Sequence, residues 1–120
     1  MTEREAASLS IRINLANGGR FGPGKAALLR AIASGGSIRA AANTLAMSYP
    51  RALKLIEEMN ADFCEPLVAS SVGGSDRGGS VLSATGEAVL AAYDRACREA
   101  EAAASDTLHE ITSYQDLDSP

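Results

Sequence analysis

Apolar residues recur along the chain at two periods, and the switch between them lays out the elements. Leu9, Ile11, Ile13 and Leu15 alternate with polar neighbours, which predicts a half-buried strand over 8–15. Asn17-Gly18-Gly19 is able to turn a hairpin, but no good second strand follows it. Phe21-Gly22-Pro23-Gly24 reads as a break before a helix. From about Gly24 to Ser34 the period lengthens, with Ala27, Leu28, Ala31 and Ile32 facing inward and Gly35 ending the helix.

Two further helix starts lie eleven residues apart. Ser37 and Ser48 each precede an apolar-periodic run and suit the N-cap, where a hydroxyl oxygen accepts from a free backbone N–H. Behind Ser37, an apolar face is formed by Ile38, Ala41, Ala42 and Leu45; behind Ser48, by Ala52, Ile56, Met59 and Phe63. Only Ala46-Met47 remain to join the two helices, with Met47 as an apolar plug. A helix pair across so short a link, over 37–63, reads as a helix-turn-helix, whose second helix enters the DNA major groove. Tyr49, Arg51, Leu53 and Lys54 stay outside near the start of that helix, and Glu57, Glu58 and Asp62 lie further along. Pro50 falls in the first turn, where its missing N–H has no intrahelical partner. The competing reading is a pair of Ala-rich core helices whose charges are merely solvated.

Pro66 stops the second helix. Leu67 to Val72 and Ser80 to Ser83 read as strands around four glycines in seven residues, Gly73 to Gly79. A strand, a glycine-rich tip and a strand straight after a helix-turn-helix form the β-hairpin wing of a winged helix, over 67–83. Glycine-rich runs also cradle nucleotide phosphates, but that chemistry needs a strand leading directly into a helix, at a spacing absent here. Arg77 is the only cation of the tip and either reaches DNA or is a solvated loop charge. Thr85 then caps a helix of about twenty residues, 85–105. Its narrow stripe includes Val89, Leu90, Tyr93, Cys97 and Ala100, and either pairs with a second copy or packs back on its own domain. The segment 106–120 is acidic with scattered apolar residues, a short helical turn followed by a loose tail. The fold class is therefore mostly α with a small β-hairpin: a winged helix-turn-helix over 1–84, a long dimerisation helix and an acidic tail.

Composition sharpens this reading. Of 120 residues, 23 are Ala and only five are aromatic, so the core is small and dimerisation would help it. The net charge of −4 hides a strong asymmetry. Residues 12–56 carry Arg12, Arg20, Lys25, Arg30, Arg39, Arg51 and Lys54 with no acid, whereas 85–120 carry eight acids against two arginines. A basic front and an acidic back fit a nucleic-acid binder better than the total does. No stretch approaches the ~20 apolar residues of a membrane span, and the first residues lack the layout of a signal peptide. Cys64 and Cys97 do not make a disulfide framework. The expected location is the cytoplasm. His109, Cys64 and Cys97 match no metal-ligand spacing and no catalytic constellation, so neither an enzyme nor a metal or cofactor site is expected.

The order of parts resembles the N-terminal DNA-binding domain of the ModE-type molybdate-responsive transcription regulators, itself related to the winged helix of LysR-type regulators. The residues that carry the likeness are Gly36-Ser37-Ile38, Ala41-Ala42, Met47-Ser48-Tyr49, Ala52, Glu58-Met59-Asn60, Pro66-Leu67-Val68, Gly73-Gly74, Gly78-Gly79, Leu82 and Thr85-Gly86-Glu87. They cover about 8–105. The resemblance implies a homodimer on an inverted-repeat, double-stranded operator. Ser48, Tyr49, Arg51 and Lys54 would stand at the groove with Arg77 in the wing, and 85–105 would form the dimer interface. Ser37, Arg39 and Pro50 join the contact set from their positions at the two helix starts. Members of that family carry molybdate-binding domains after the long helix. None follows here, so molybdate sensing and a small-molecule effector are not expected of these residues. The alternative function is a protein-interaction module, a winged helix that has lost DNA binding.

Overall fold

Phe21 is the residue around which the layers meet. In the computed structural model, which describes residues 7–70 and 79–115, its ring packs edge-on against Phe63 at 6.0 Å and against Tyr93 at 5.2 Å. Such T-shaped pairs are the favoured aromatic geometry and add to the burial of the rings themselves. Phe21 reaches this position through a small hairpin, β1 (Ile13–Asn14) and β2 (Arg20–Phe21), paired antiparallel with Ile13 opposite Phe21. The 8–15 strand is thus only two residues of paired β, and the second strand that seemed missing is Arg20–Phe21. Gly18 makes the turn at φ 94°, a conformation that favours glycine. Asn17 completes it, its Oδ1 accepting from Gly19 N–H at 3.0 Å while its Nδ2 donates to the Asp62 carbonyl at 2.9 Å.

Three helices follow: α1 (Pro23–Gly35), α2 (Ile38–Thr44) and α3 (Tyr49–Asp62). Pro23 opens α1, and Gly36, at φ 79°, ends it by donating its N–H to the Ile32 carbonyl. Leu28, Leu29 and Ile32 are fully buried, against Ala41 and Ala42 of α2 and Ala52, Leu55, Ile56 and Met59 of α3. The link between α2 and α3 holds Ala46 at φ 56°, and Met47 donates its N–H to the Ala42 carbonyl while its side chain packs on the core.

The second hairpin, β3 (Val68–Ser70) and β4 (Ser80–Leu82), pairs Val68 with Leu82. The hairpin is bonded to α3 and to the end of α1. Asn60 Oδ1 accepts from Leu67 and Val68 N–H at 2.9 and 3.2 Å, and its Nδ2 donates to the Val68 carbonyl. Ser80 N–H donates to the Gly36 carbonyl at 2.9 Å. The mostly helical architecture with a small antiparallel hairpin is the expected class. The glycine-rich tip with Arg77 lies outside the described residues.

Helix α4 (Ala84–Ala103) is capped by Ser83, whose Oγ accepts from Gly86 N–H at 2.9 Å. Thr85, the expected cap, instead donates to Glu65 Oε1 at 2.6 Å. Ser83 wins because its hydroxyl also donates to the Pro66 carbonyl at 2.7 Å, tying cap and hairpin together. A further helix, α5 (Ser105–Ser113), replaces the short turn expected in the acidic tail, and none of its residues is buried.

Candidate nucleic-acid interface

The starts of α2 and α3 hold the polar residues singled out from the sequence. Ser37 Oγ accepts from Ala40 N–H at 3.0 Å and Ser48 Oγ from Arg51 N–H at 3.2 Å, so both serines cap their helices. Each keeps a hydroxyl proton to donate outward. Pro50 is exposed in the first turn of α3. Arg51 and Lys54, also exposed, stand three residues apart on one side of that helix. Tyr49 is half-buried, and the Arg39 Cζ from α2 sits 4.5 Å from its ring centroid. Ser37, Arg39, Ser48, Tyr49, Pro50, Arg51 and Lys54 therefore cluster around two helix N-termini, whose backbone N–H groups add partial positive charge.

The basic front is smaller than the sequence suggests. Lys25 is spent on Glu58 Oε1 at 3.2 Å and on the Arg20 carbonyl at 2.8 Å; Arg30 is spent on Asp94 Oδ1 at 2.8 Å. Among the described residues, Arg12, Arg20, Arg39, Arg51 and Lys54 keep no carboxylate partner. The same pairing removes an objection, because Glu58 of α3 is held by Lys25 and its neighbour Asp62 lies over the Gly19 turn. The cations at the start of α3 thus face outward while two of its three acids are turned to the protein. Sequence reasoning missed these pairs because their partners are distant along the chain.

Tyr93 requires a correction. The sequence places it in a contact between copies; its ring is 6 % exposed and lies inside its own domain, with its hydroxyl donating to the Ile11 carbonyl at 2.6 Å. Burial foremost, and then the neighbouring Cys97 thiol, push its phenol up from 10.0 to about 12. Val89, Leu90 and Cys97 also pack partly on the core, so most of the α4 stripe covers its own chain, and only Ala100 of the expected set is half-buried beyond it. What α4 leaves open is an apolar groove of about 360 Å³ with Ile13, Leu15, Phe63, Ala92 and Ala96 in its walls. The only sequence signal for it was the alternation of Ile13 and Leu15, whose exposed side faces the helix rather than another strand.

Cys64 and Cys97 are free. Among the described residues no three His, Cys, Asp or Glu side chains come together as a metal site, and no helix is long and apolar enough to cross a membrane.

The class defined by this geometry is a small, mostly helical domain that presents the cationic start of one helix and anchors a β-hairpin at the far end of the same helix. No protein-family model matches the chain. Over 76 residues it is 42% identical to the molybdenum-pterin-binding protein MopB of Rhodobacter capsulatus, a match covering 63% of this chain and 28% of MopB. The molybdenum transport protein ModE of Azotobacter vinelandii is 38% identical over 88 residues, 71% of this chain and 33% of ModE. MopA of Rhodobacter capsulatus is 31% identical over 84 residues, 70% of this chain and 32% of MopA. The chain is thus related to the ModE and Mop proteins, and it spans about a third of the length of the relatives it matches.

Proposed function

We propose that this chain is a winged helix-turn-helix that binds double-stranded DNA as a homodimer, within a molybdenum-linked setting of the kind its relatives' names describe. Helix α3 enters the major groove with Arg51 foremost; Lys54, Arg39 beside Tyr49 and the two capping serines meet the backbone; and the β3–β4 hairpin with Arg77 is the wing. The observation that carries the reading is the outward start of α3, free of carboxylate partners among the described residues, with Glu58 and Asp62 held back by Lys25 and the Gly19 turn. Phosphate contacts by such cations release condensed counterions, so affinity for DNA falls steeply with salt. Two copies joined along α4 place their recognition helices about 34 Å apart, one helical turn, and the operator is an inverted repeat.

Fluorescence polarisation with genomic fragments across a salt series tests this. Lys54→Ala is expected to weaken all sequences alike and to reduce the log–log salt slope by about one. Binding that ignores salt, or no binding to any DNA, would support the second reading, a protein-interaction module. That reading draws on α5 and the residue that caps its end, where Ile111 and Tyr114 are exposed.

A further inference from the structure

We propose that Tyr49 acts on DNA through Arg39: its ring is a platform that holds the guanidinium flat at the junction of α2 and α3 and aims its N–H edge at a backbone phosphate. This deepens the DNA-binding reading above and rests on it. Arg39 is the second residue of α2 and exposed, and among the described residues no carboxylate pairs with it. Its Cζ stands 4.5 Å from the Tyr49 centroid. An arginine stacked by its face on an aromatic ring gains from the ring quadrupole, yet keeps its in-plane donors, whose fork matches phosphate oxygens.

The platform is itself fixed. Tyr49 is the first residue of α3, between the Ser48 cap and Pro50, whose ring locks the backbone. A long, rotamer-rich side chain held in place before binding loses less freedom when it meets its ligand. Because the covered face of Tyr49 is occupied by Arg39, that face is not available to a base. The contact it supports is to phosphate, and its effect is uniform over sequences.

The test is a double-mutant cycle on DNA affinity, with circular dichroism to show that each variant is folded. Tyr49→Leu is expected to lower affinity about two- to fivefold on every sequence, the size of an exposed cation–π contact. Tyr49→Phe, which keeps the ring, retains wild-type affinity and salt slope. In an Arg39→Ala background, where the slope has already dropped by about one, Tyr49→Leu costs nothing more. Three results overturn the role: additive losses from the two substitutions, a loss in Tyr49→Phe equal to that in Tyr49→Leu, or a loss confined to certain sequences. The last two would make Tyr49 a direct contact. A folded wild type that binds no DNA at all removes the DNA-binding reading itself, and the platform with it, so the two failures are told apart.

Discussion

Ala46, exposed between α2 and α3, carries backbone strain. At φ 56° it lies in the left-handed region, where a non-glycine residue is disfavoured by about 1–2 kcal/mol. Glycine would relieve this at the cost of a floppier unfolded chain. Ala46→Gly is therefore expected to raise stability by about 0.5–1 kcal/mol, read as a higher urea midpoint with an unchanged slope. Tyr93 makes a prediction of opposite kind. Its folded pKa is raised from 10.0 to about 12, so the fold favours the protonated phenol. The unfolded chain loses that proton first. The stability contributed by Tyr93 is therefore complete below pH 10 and is lost as pH rises through about 12. Ultraviolet titration in a chain whose Tyr49 and Tyr114 are replaced by Phe checks the shift, and a midpoint at 10 would contradict it. The sequence showed Tyr93 as one member of an apolar stripe. Periodicity identifies which residues share a face, but not whether that face meets its own domain or another molecule.

At the scale of elements, the helix starts were legible because capping is local chemistry: Ser37 and Ser48 each bond an N–H three residues ahead. Where two candidates stood close, at Ser83 and Thr85, the choice was made by a tertiary bond to the Pro66 carbonyl, which no local rule sees. The β1–β2 hairpin was missed for a related reason. Its two-residue strands are too short to show alternation, and they are held by Asn17 on the Asp62 carbonyl and by the burial of Phe21. Two of the residues that carry the likeness to the ModE-type domain acquire a mechanical meaning here. Asn60 takes up the N–H groups of Leu67 and Val68 where β3 begins, and Gly86 allows α4 to rest on the Leu67 carbonyl, which a Cβ would overlap. Gly86→Ala must push α4 off the hairpin. It is expected to cost more than the ~1 kcal/mol that alanine gains over glycine inside a helix, a net loss seen as a lower unfolding midpoint, with β3 amides exchanging faster.

The whole molecule measures 58 × 34 × 20 Å with a radius of gyration of 17.7 Å, against about 13–14 Å for a compact domain of this length. The excess reflects the far half of α4 and α5, which project past the core with no buried residue, although a nine-residue helix is marginal in water by itself. The proposed second copy, lying along α4 and the groove at Ala92, would account for both features. Ala92→Glu is accordingly expected to give folded monomers in sedimentation equilibrium, whereas Tyr93→Asp buries a charge within the domain and unfolds it. A charge at Ala92 that leaves a dimer intact would move the interface elsewhere. One tether has a consequence in time rather than in space. The segment 7–11 is strapped along the far helices by Ala7 to Thr112, Leu9 to Glu101 and Ile11 to Tyr93, each bond closing a loop of 82 to 105 residues. Contacts that distant cannot form until residues 93–112 have left the ribosome. Helices α1 to α3 can settle as they appear; residues 7–11 must wait for α4 and α5, and stay loose for the time it takes to make the chain between.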